Sequence, residues 1–276
     1  MSGLDGRVAF ITGAGRGQGR AHAVRLAREG ADIIGIDICA NVTSMTYPNA
    51  SEAELAETEK MVRALGRTMI ARKADVRDYH ALCAAFQDGY QHFGRVDIVV
   101  ANAGIIRMGP ESDDFLADWN DVIDTNLTGV YHTVRAALPA LRRSGRGGSI
   151  VITSSTAGLN ASPSLNASGN AYAAAKRGVV ALMQGLAGHL APEWIRVNTI
   201  HPTGVASGMT HNDAMRELME QAAAGGQNSI SGMQNALPVQ MLEAEDIANA
   251  VAYLVSDEAR FITGIQWPLD AGFMIR

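Results

Sequence analysis

Tyr172 and Lys176 stand four residues apart in Ser168-Gly-Asn-Ala-Tyr-Ala-Ala-Ala-Lys-Arg177. On a helix that spacing puts both side chains on one face. A free phenol titrates near 10, too high for a base at neutral pH. An ammonium beside it favours the phenolate and lowers that value. A shift of about three units needs ~4 kcal/mol of electrostatic help. The pair would then be an acid/base poised near working pH. A Tyr-x-x-x-Lys pair alone is weak, because many helices carry one by chance. Here it has company. The apolar run Ser149-Ile-Val-Ile-Thr-Ser-Ser155 delivers Ser154 to a strand end, and Asn126 lies upstream in Thr125-Asn-Leu-Thr-Gly129.

Near the N-terminus, Thr12-Gly-Ala-Gly-Arg-Gly-Gln-Gly19 separates an apolar strand at 7–12 from a helix beginning at Gly17. Gly13, Gly17 and Gly19 permit a tight turn and close approach of backbone to a pyrophosphate, with the helix N-terminus supplying free N–H groups. Asp37 follows Gly19 by 18 residues, at the end of the second strand. A carboxylate there accepts hydrogen bonds from ribose hydroxyls and repels a 2′-phosphate, which favours NAD over NADP. Arg16, inside the turn, could reach a 2′-phosphate or face solvent. The direct like-charge penalty at Asp37 outweighs it.

Strands and helices must position these groups, and the chain has both in alternation. Strands are expected at 7–12, 31–37, 68–72, 96–101, 149–153, 195–200 and near 265–267. Helices are expected at 17–29, 51–66 (with Ser51-Glu-Ala-Glu54 as a capping box), 79–93, 115–143, 171–190 and 243–255. That rhythm gives a parallel sheet covered by helices on both faces. With 276 residues, 47% hydrophobic, residues 1–276 suit one α/β domain. Two segments break the rhythm. Residues 39–50 form a turn-rich insert leaving the strand that bears Asp37. Residues 203–241, with Met209, Met215, Met219, Met233 and Met241, read as a short helical lid over an apolar pocket.

Composition narrows the function. The net charge is −5, and no basic stripe favours nucleic acid. Cys39 and Cys83 form no Cys-x-x-Cys pair, and the seven histidines show no ligand spacing, so neither a disulfide scaffold nor a metal site is expected. No apolar run has the length of a membrane span, and the first strand begins too early to leave room for a signal peptide. The expectation is a cytoplasmic protein.

With these residues in place, the chain resembles the short-chain dehydrogenase/reductase family over nearly its full length. The resemblance rests on the glycine turn, Asp75-Val76, Asn102-Ala-Gly104, Asn126, Ser154, Tyr172-x-x-x-Lys176 and His201-Pro-Thr-Gly204. It implies a Rossmann-type, doubly wound sheet of seven parallel strands, NAD as cofactor and a homotetramer. Tyr172 would donate or accept the proton, and Ser154 would hydrogen-bond the reacting oxygen. Lys176 would hold the nicotinamide ribose and lower the Tyr172 pKa, while Asn126 would hold a relay water. Asp75 and Val76 would flank the adenine, and Asn102, Ala103 and Gly104 would line the cleft. Arg16, Gln18, Ile38, Pro202, Gly204 and Val205 complete the implied cofactor contacts. Gly35-Ile-Asp-Ile-Cys39, the insert to Tyr47-Pro48 and Glu54-Leu-Ala-Glu-Thr58 further resemble the mycofactocin-associated, carveol-dehydrogenase-like subfamily. That narrower likeness implies NAD held without free exchange and reoxidised by an external redox partner.

Three functional readings follow. The first is a dehydrogenase for a hydrophobic, cyclic secondary alcohol, since the lid is apolar and shows no obvious arginine clamp for an anion; Arg107, the nearest candidate, could equally be a surface residue. The second is a 3-oxoacyl or hydroxysteroid reductase with exchanging NAD(P). The third is an idle NAD-binding scaffold, which would have no need of Asn126, Ser154, Tyr172 and Lys176 together. The helix at 171–190 is apolar nearly all round, so a second subunit is expected to cover one side of it, through residues 126–141.

Overall fold

The computed structural model describes residues 3–160, 166–213, 215–217, 220 and 235–276. Seven strands form one sheet: β1 (Val8–Thr12), β2 (Asp32–Asp37), β3 (Met69–Lys73), β4 (Ile98–Ala101), β5 (Gly148–Thr153), β6 (Ile195–Pro202) and β7 (Gln266–Leu269). Their order is β3-β2-β1-β4-β5-β6-β7, and every neighbouring pair is parallel. The central strands β1 and β4 are buried along their whole length, which is why they read as unbroken apolar runs rather than alternating ones.

Helices cover both faces. One core packs the sheet against α3 (Tyr79–Phe93), α5 (Gly129–Ser144) and α6 (Ala167–Leu190) through Phe10, Phe86, Leu141 and Met183. The other packs it against α1 (Gly17–Arg28), α2 (Glu52–Ala64) and α7 (Ala244–Val255) through Ile11, Leu26, Val62 and Val251. The expected capping box opens α2: Glu54 N–H donates to Ser51 Oγ at 3.2 Å, and Ser51 N–H donates to Glu54 Oε2 at 2.8 Å.

The helical stretch expected at 115–143 is interrupted. It runs as α4 (Phe115–Ile123), a π-helical turn (Asp124–Thr128) and α5. The extra residue rotates Asn126 out of the regular helix pattern, as such turns do at functional sites. Helix α6 starts four residues earlier than the apolar pattern indicated, because Asn166 caps it by accepting from Gly169 N–H at 2.7 Å. Strand order reverses between β1 and β4. A crevice opens there at the carboxyl ends of the strands, the place where open α/β sheets bind ligands.

Candidate active site

The crevice is lined by Gly13, Arg16, Gly17, Gln18, Asp37, Ile38, Asp75, Val76, Asn102, Ala103 and Gly104 from the sequence reading. The turn after β1 needs its glycines. Gly13 and Gly17 have φ of +70° and +54°. A Cβ on Gly19 would lie 1.9 Å from the Gly13 carbonyl oxygen, so Gly19 serves the turn from beneath and does not line the crevice. Helix α1 has no side-chain cap, unlike α2, α3, α4 and α6. Its leading N–H groups are thus left for an anion.

Asp37 ends β2 and is buried. Its Oδ2 accepts from Gly15 N–H at 2.8 Å, and its Oδ1 from Cys39 N–H at 3.4 Å. Burial raises its pKa, and the backbone hydrogen bonds oppose that. Arg16 donates to the Pro48 carbonyl and lies 3.9 Å from Glu54, so it is tied to the insert and α2. Asp75 is paired with Arg77, which also reaches Asp121 on α4. The crevice wall carries two buried polar atoms without a partner, Gln18 Oε1 and Thr125 Oγ1. An uncapped helix end, a glycine cradle, a buried carboxylate at the end of β2 and unpaired polar atoms fit a dinucleotide.

Pro202, Gly204 and Val205, like Tyr172 and Lys176, stand outside the immediate lining of this crevice. Pro202 closes β6, Gly204 lies against Met241, and Val205 forms a bridge with Leu242. Ser207, Gly208 and Met209, a few residues on, line it instead. Of the other lid methionines, Met215 and Met241 are half-buried. Met219 and Met233 lie outside the described residues.

The insert is the largest addition to the site. Cys39 turns the chain with φ of +47°. Asn41 and Asn49 then brace the loop across its neck: Asn49 N–H donates to Asn41 Oδ1 at 2.9 Å, and Val42 N–H to Asn49 Oδ1 at 3.2 Å. Val42, Tyr47, Asn49 and Ala50 line the crevice. Ser44 donates to Asp121 Oδ2 at 2.6 Å, and Ile106 N–H donates to the Tyr47 hydroxyl at 3.4 Å. The insert therefore crosses from β2 to the opposite wall.

The catalytic end needs one correction. Ser154 Oγ donates to the Lys176 carbonyl at 2.8 Å and is buried against α6. The hydroxyl hydrogen-bonded to Tyr172 belongs to Ser155. Successive residues leaving a strand point to opposite sides, so a one-residue slip exchanges the two roles. Gly158 leaves the room that Ser154 uses, since a Cβ there would meet Ser154 Oγ at 2.6 Å. His201, buried in β6, donates from Nδ1 to the Ser155 carbonyl at 2.8 Å and accepts at Nε2 from the Thr199 hydroxyl at 2.9 Å. It thereby fixes the backbone that carries Ser155.

Lys176 Nζ lies 5.4 Å from the Tyr172 ring centre and donates to the Thr153 carbonyl at 2.8 Å. Without a cofactor the pair does not favour a phenolate. Burial raises the Tyr172 pKa, with Ser155 opposing, and burial lowers Lys176 to about 8. The expected lowering of Tyr172 by Lys176 is absent here because both groups lose hydration together. Asn126 is fully buried, and its side chain is spent on Ile105: Nδ2 donates to the carbonyl at 2.7 Å, and Oδ1 accepts from the N–H at 2.9 Å. A relay water at Asn126 would have to use its main chain. Arg107 lies 3.6 Å from the buried Asp118 and donates to Pro110, so its charge is answered inside the protein.

The fold and site define a dinucleotide-dependent oxidoreductase architecture with a serine–tyrosine–lysine centre. Residues 7–218 match the short chain dehydrogenase family, and the chain belongs to it. It is 44% identical to a (-)-trans-carveol dehydrogenase of Rhodococcus erythropolis, over 100% of both chains. It superposes on carveol dehydrogenase from Mycobacterium avium in complex with NAD with a TM-score of 0.92, at 45% identity and 100% coverage of both. A short chain dehydrogenase from Mycobacterium paratuberculosis bound to NAD gives 0.90 at 41% identity and 99% coverage of both. Among the described residues no helix is long and apolar enough to cross a membrane, and no cluster of side chains could hold a metal ion.

Proposed function

We propose that this protein interconverts a hydrophobic, cyclic secondary alcohol and its ketone, with NAD as cofactor. The observation that carries the reading is the convergence of Ser155, Tyr172 and Lys176, with Lys176 Nζ beside Gly104 of the dinucleotide cradle. Gly13, Gly17 and the N-terminus of α1 would hold the pyrophosphate, Asp37 the adenosine ribose, and Asp75 and Val76 the adenine. Lys176 would hold the nicotinamide ribose. The bound nicotinamide supplies the hydride acceptor or donor. Ser155 holds the alcohol oxygen, and Tyr172 takes its proton as the carbonyl forms, or returns it in reduction. An ammonium beside Tyr172 favours the phenolate, against the burial that raises its pKa.

Substrate class is supported by the neighbours named for carveol and by charge. Arg107 is answered by Asp118, so this arginine is not a free clamp for a carboxylate or phosphate. NAD is favoured over NADP because Asp37 faces the ribose position while Arg16 is held by Pro48. The insert crossing the crevice supports retention of NAD between turnovers, with an external redox partner of the mycofactocin-associated kind reoxidising it in place. A cytoplasmic homotetramer completes the reading. Phe115, Leu116, Trp119 and Tyr131 are exposed on α4 and α5 beside α6, where a second subunit would cover them. A panel of cyclic and acyclic alcohols, assayed with free NAD and with an artificial electron acceptor, tests it. Turnover of apolar secondary alcohols, faster with the acceptor, is expected. Preference for thioester-linked 3-oxo substrates would replace this reading.

A further inference from the structure

The segment 105–109, which follows β4, is held at every residue. Ile105 is bound at both N–H and carbonyl by Asn126, at 2.9 and 2.7 Å. Ile106 N–H donates to the Tyr47 hydroxyl at 3.4 Å, and Arg107 N–H to Ser168 Oγ at 2.9 Å. The Met108 carbonyl accepts from Thr46 Oγ1 at 3.4 Å, and the Gly109 carbonyl from Asn166 Nδ2 at 3.0 Å. From Ile106 to Gly109 the holds come alternately from two sources. Thr46 and Tyr47 belong to the insert. Asn166 and Ser168 belong to the start of α6, and Tyr172 lies one helical turn beyond Ser168. The segment is a shared wall: Ile105 faces the cofactor crevice, and Arg107 abuts the helix that carries the proton-transfer group.

We infer that Tyr47 is a positioning residue for the substrate side of the site, so that the insert governs substrate discrimination as well as the crevice it crosses. Tyr47 is buried, and it sits close enough to Tyr172 for the two hydroxyls to interact electrostatically. Val42 shares an apolar cluster with Ile105, Val122 and Ala171, against which Met45 and Tyr172 also pack. The insert, segment 105–109 and α6 thus form one packed unit. Positioning of a substrate is sensitive to shifts of about 1 Å in such a wall. Bulky cyclic substrates touch more of it than small acyclic ones, so they report its position. The substrate half of this inference rests on the proposed alcohol chemistry; the clamp itself does not.

Tyr47→Phe keeps the ring in its pocket and removes only the hydroxyl. Amide hydrogen exchange over residues 105–109 should accelerate at least threefold in the variant. The ratio of kcat/KM for a cyclic over an acyclic secondary alcohol should fall at least threefold, mainly through KM. Thr46→Val, at the neighbouring hold, should shift both in the same direction and serves if Tyr47→Phe does not fold. Unchanged exchange in both variants overturns the clamp. Faster exchange with unchanged discrimination, or nucleotide loss with unchanged discrimination, overturns the substrate role. Exchange is read whatever the wild type turns over, so a silent alcohol panel counts against the proposed function and not against the clamp.

Discussion

Asp37, Asp75 and Arg16, at the β2 end of the crevice, each have a partner already in place: the Gly15 N–H, Arg77 and the Pro48 carbonyl. Tyr172 and Lys176, at the α6 end, are held differently. Among the described residues no carboxylate lies within ion-pair distance of Lys176, and its ammonium has a neutral carbonyl instead. Burial pushes the Tyr172 pKa up and brings Lys176 down to about 8. At the β2 end each charged group has a partner, although burial raises the Asp37 pKa as well. The other end holds two groups whose charged forms are disfavoured by burial. Perturbed groups of this kind mark chemistry, whereas paired ones mark recognition.

If that division is right, the two ends should fail in different ways. Tyr172→Phe removes the proton-transfer group and keeps the ring. Turnover should fall at least about a hundredfold, with the nucleotide content of the purified protein unchanged. Near-normal turnover, measured by steady-state kinetics, would break the assignment. Asp37→Ala acts at the other end. NAD affinity should drop about tenfold, in line with loss of charge-assisted hydrogen bonds, and the preference over NADP should narrow, as titration of both nucleotides would show. A variant that bound NAD normally but turned over poorly would put Asp37 at the wrong end of the comparison.

A third place sharpens the contrast. His22, on α1 beneath the glycine turn, is fully buried; it abuts Asn102, yet neither ring nitrogen completes a hydrogen bond. Burial lowers its pKa from 6.5 to about 3. The fold therefore holds it neutral, while the unfolded chain takes up a proton below pH 6.5. Its contribution is complete above pH 6.5 and is lost as pH falls toward 3. Between pH 7 and 4.5 the loss is about 2–3 kcal/mol. His22→Leu should remove that part of the acid sensitivity, seen as a smaller change in urea midpoint between the two pH values. Parallel changes in wild type and variant would show that His22 is not the group responsible.

The parts legible in the sequence are those set by periodicity or by backbone geometry. Unbroken apolar runs gave the central strands, and Gly13, Gly17 and Gly19 marked a turn that other residues cannot make. Tyr172 and Lys176 were legible because helical spacing alone puts them together. Ser155 was not, since two adjacent serines at a strand end differ only in which side they face, and that depends on where the strand stops. Ser207, Gly208 and Met209 were missed for Gly204 and Val205 because the chain after β6 bridges to Leu242 before it returns to the crevice. The insert announced itself by length and by Tyr47-Pro48. Its reach to Ile106 and Asp121 depends on contacts more than 50 residues away in the chain, which no local pattern encodes.

The central claim is an NAD-dependent dehydrogenase whose cofactor cradle is closed by residues 39–50. Its most direct test is the nucleotide released from freshly purified, heat-denatured protein, identified and counted by mass spectrometry. About one NAD or NADH per subunit, retained through gel filtration in nucleotide-free buffer, is the expected result. Protein that carries no nucleotide and turns over briskly with free NAD, or that carries NADP, would contradict the account.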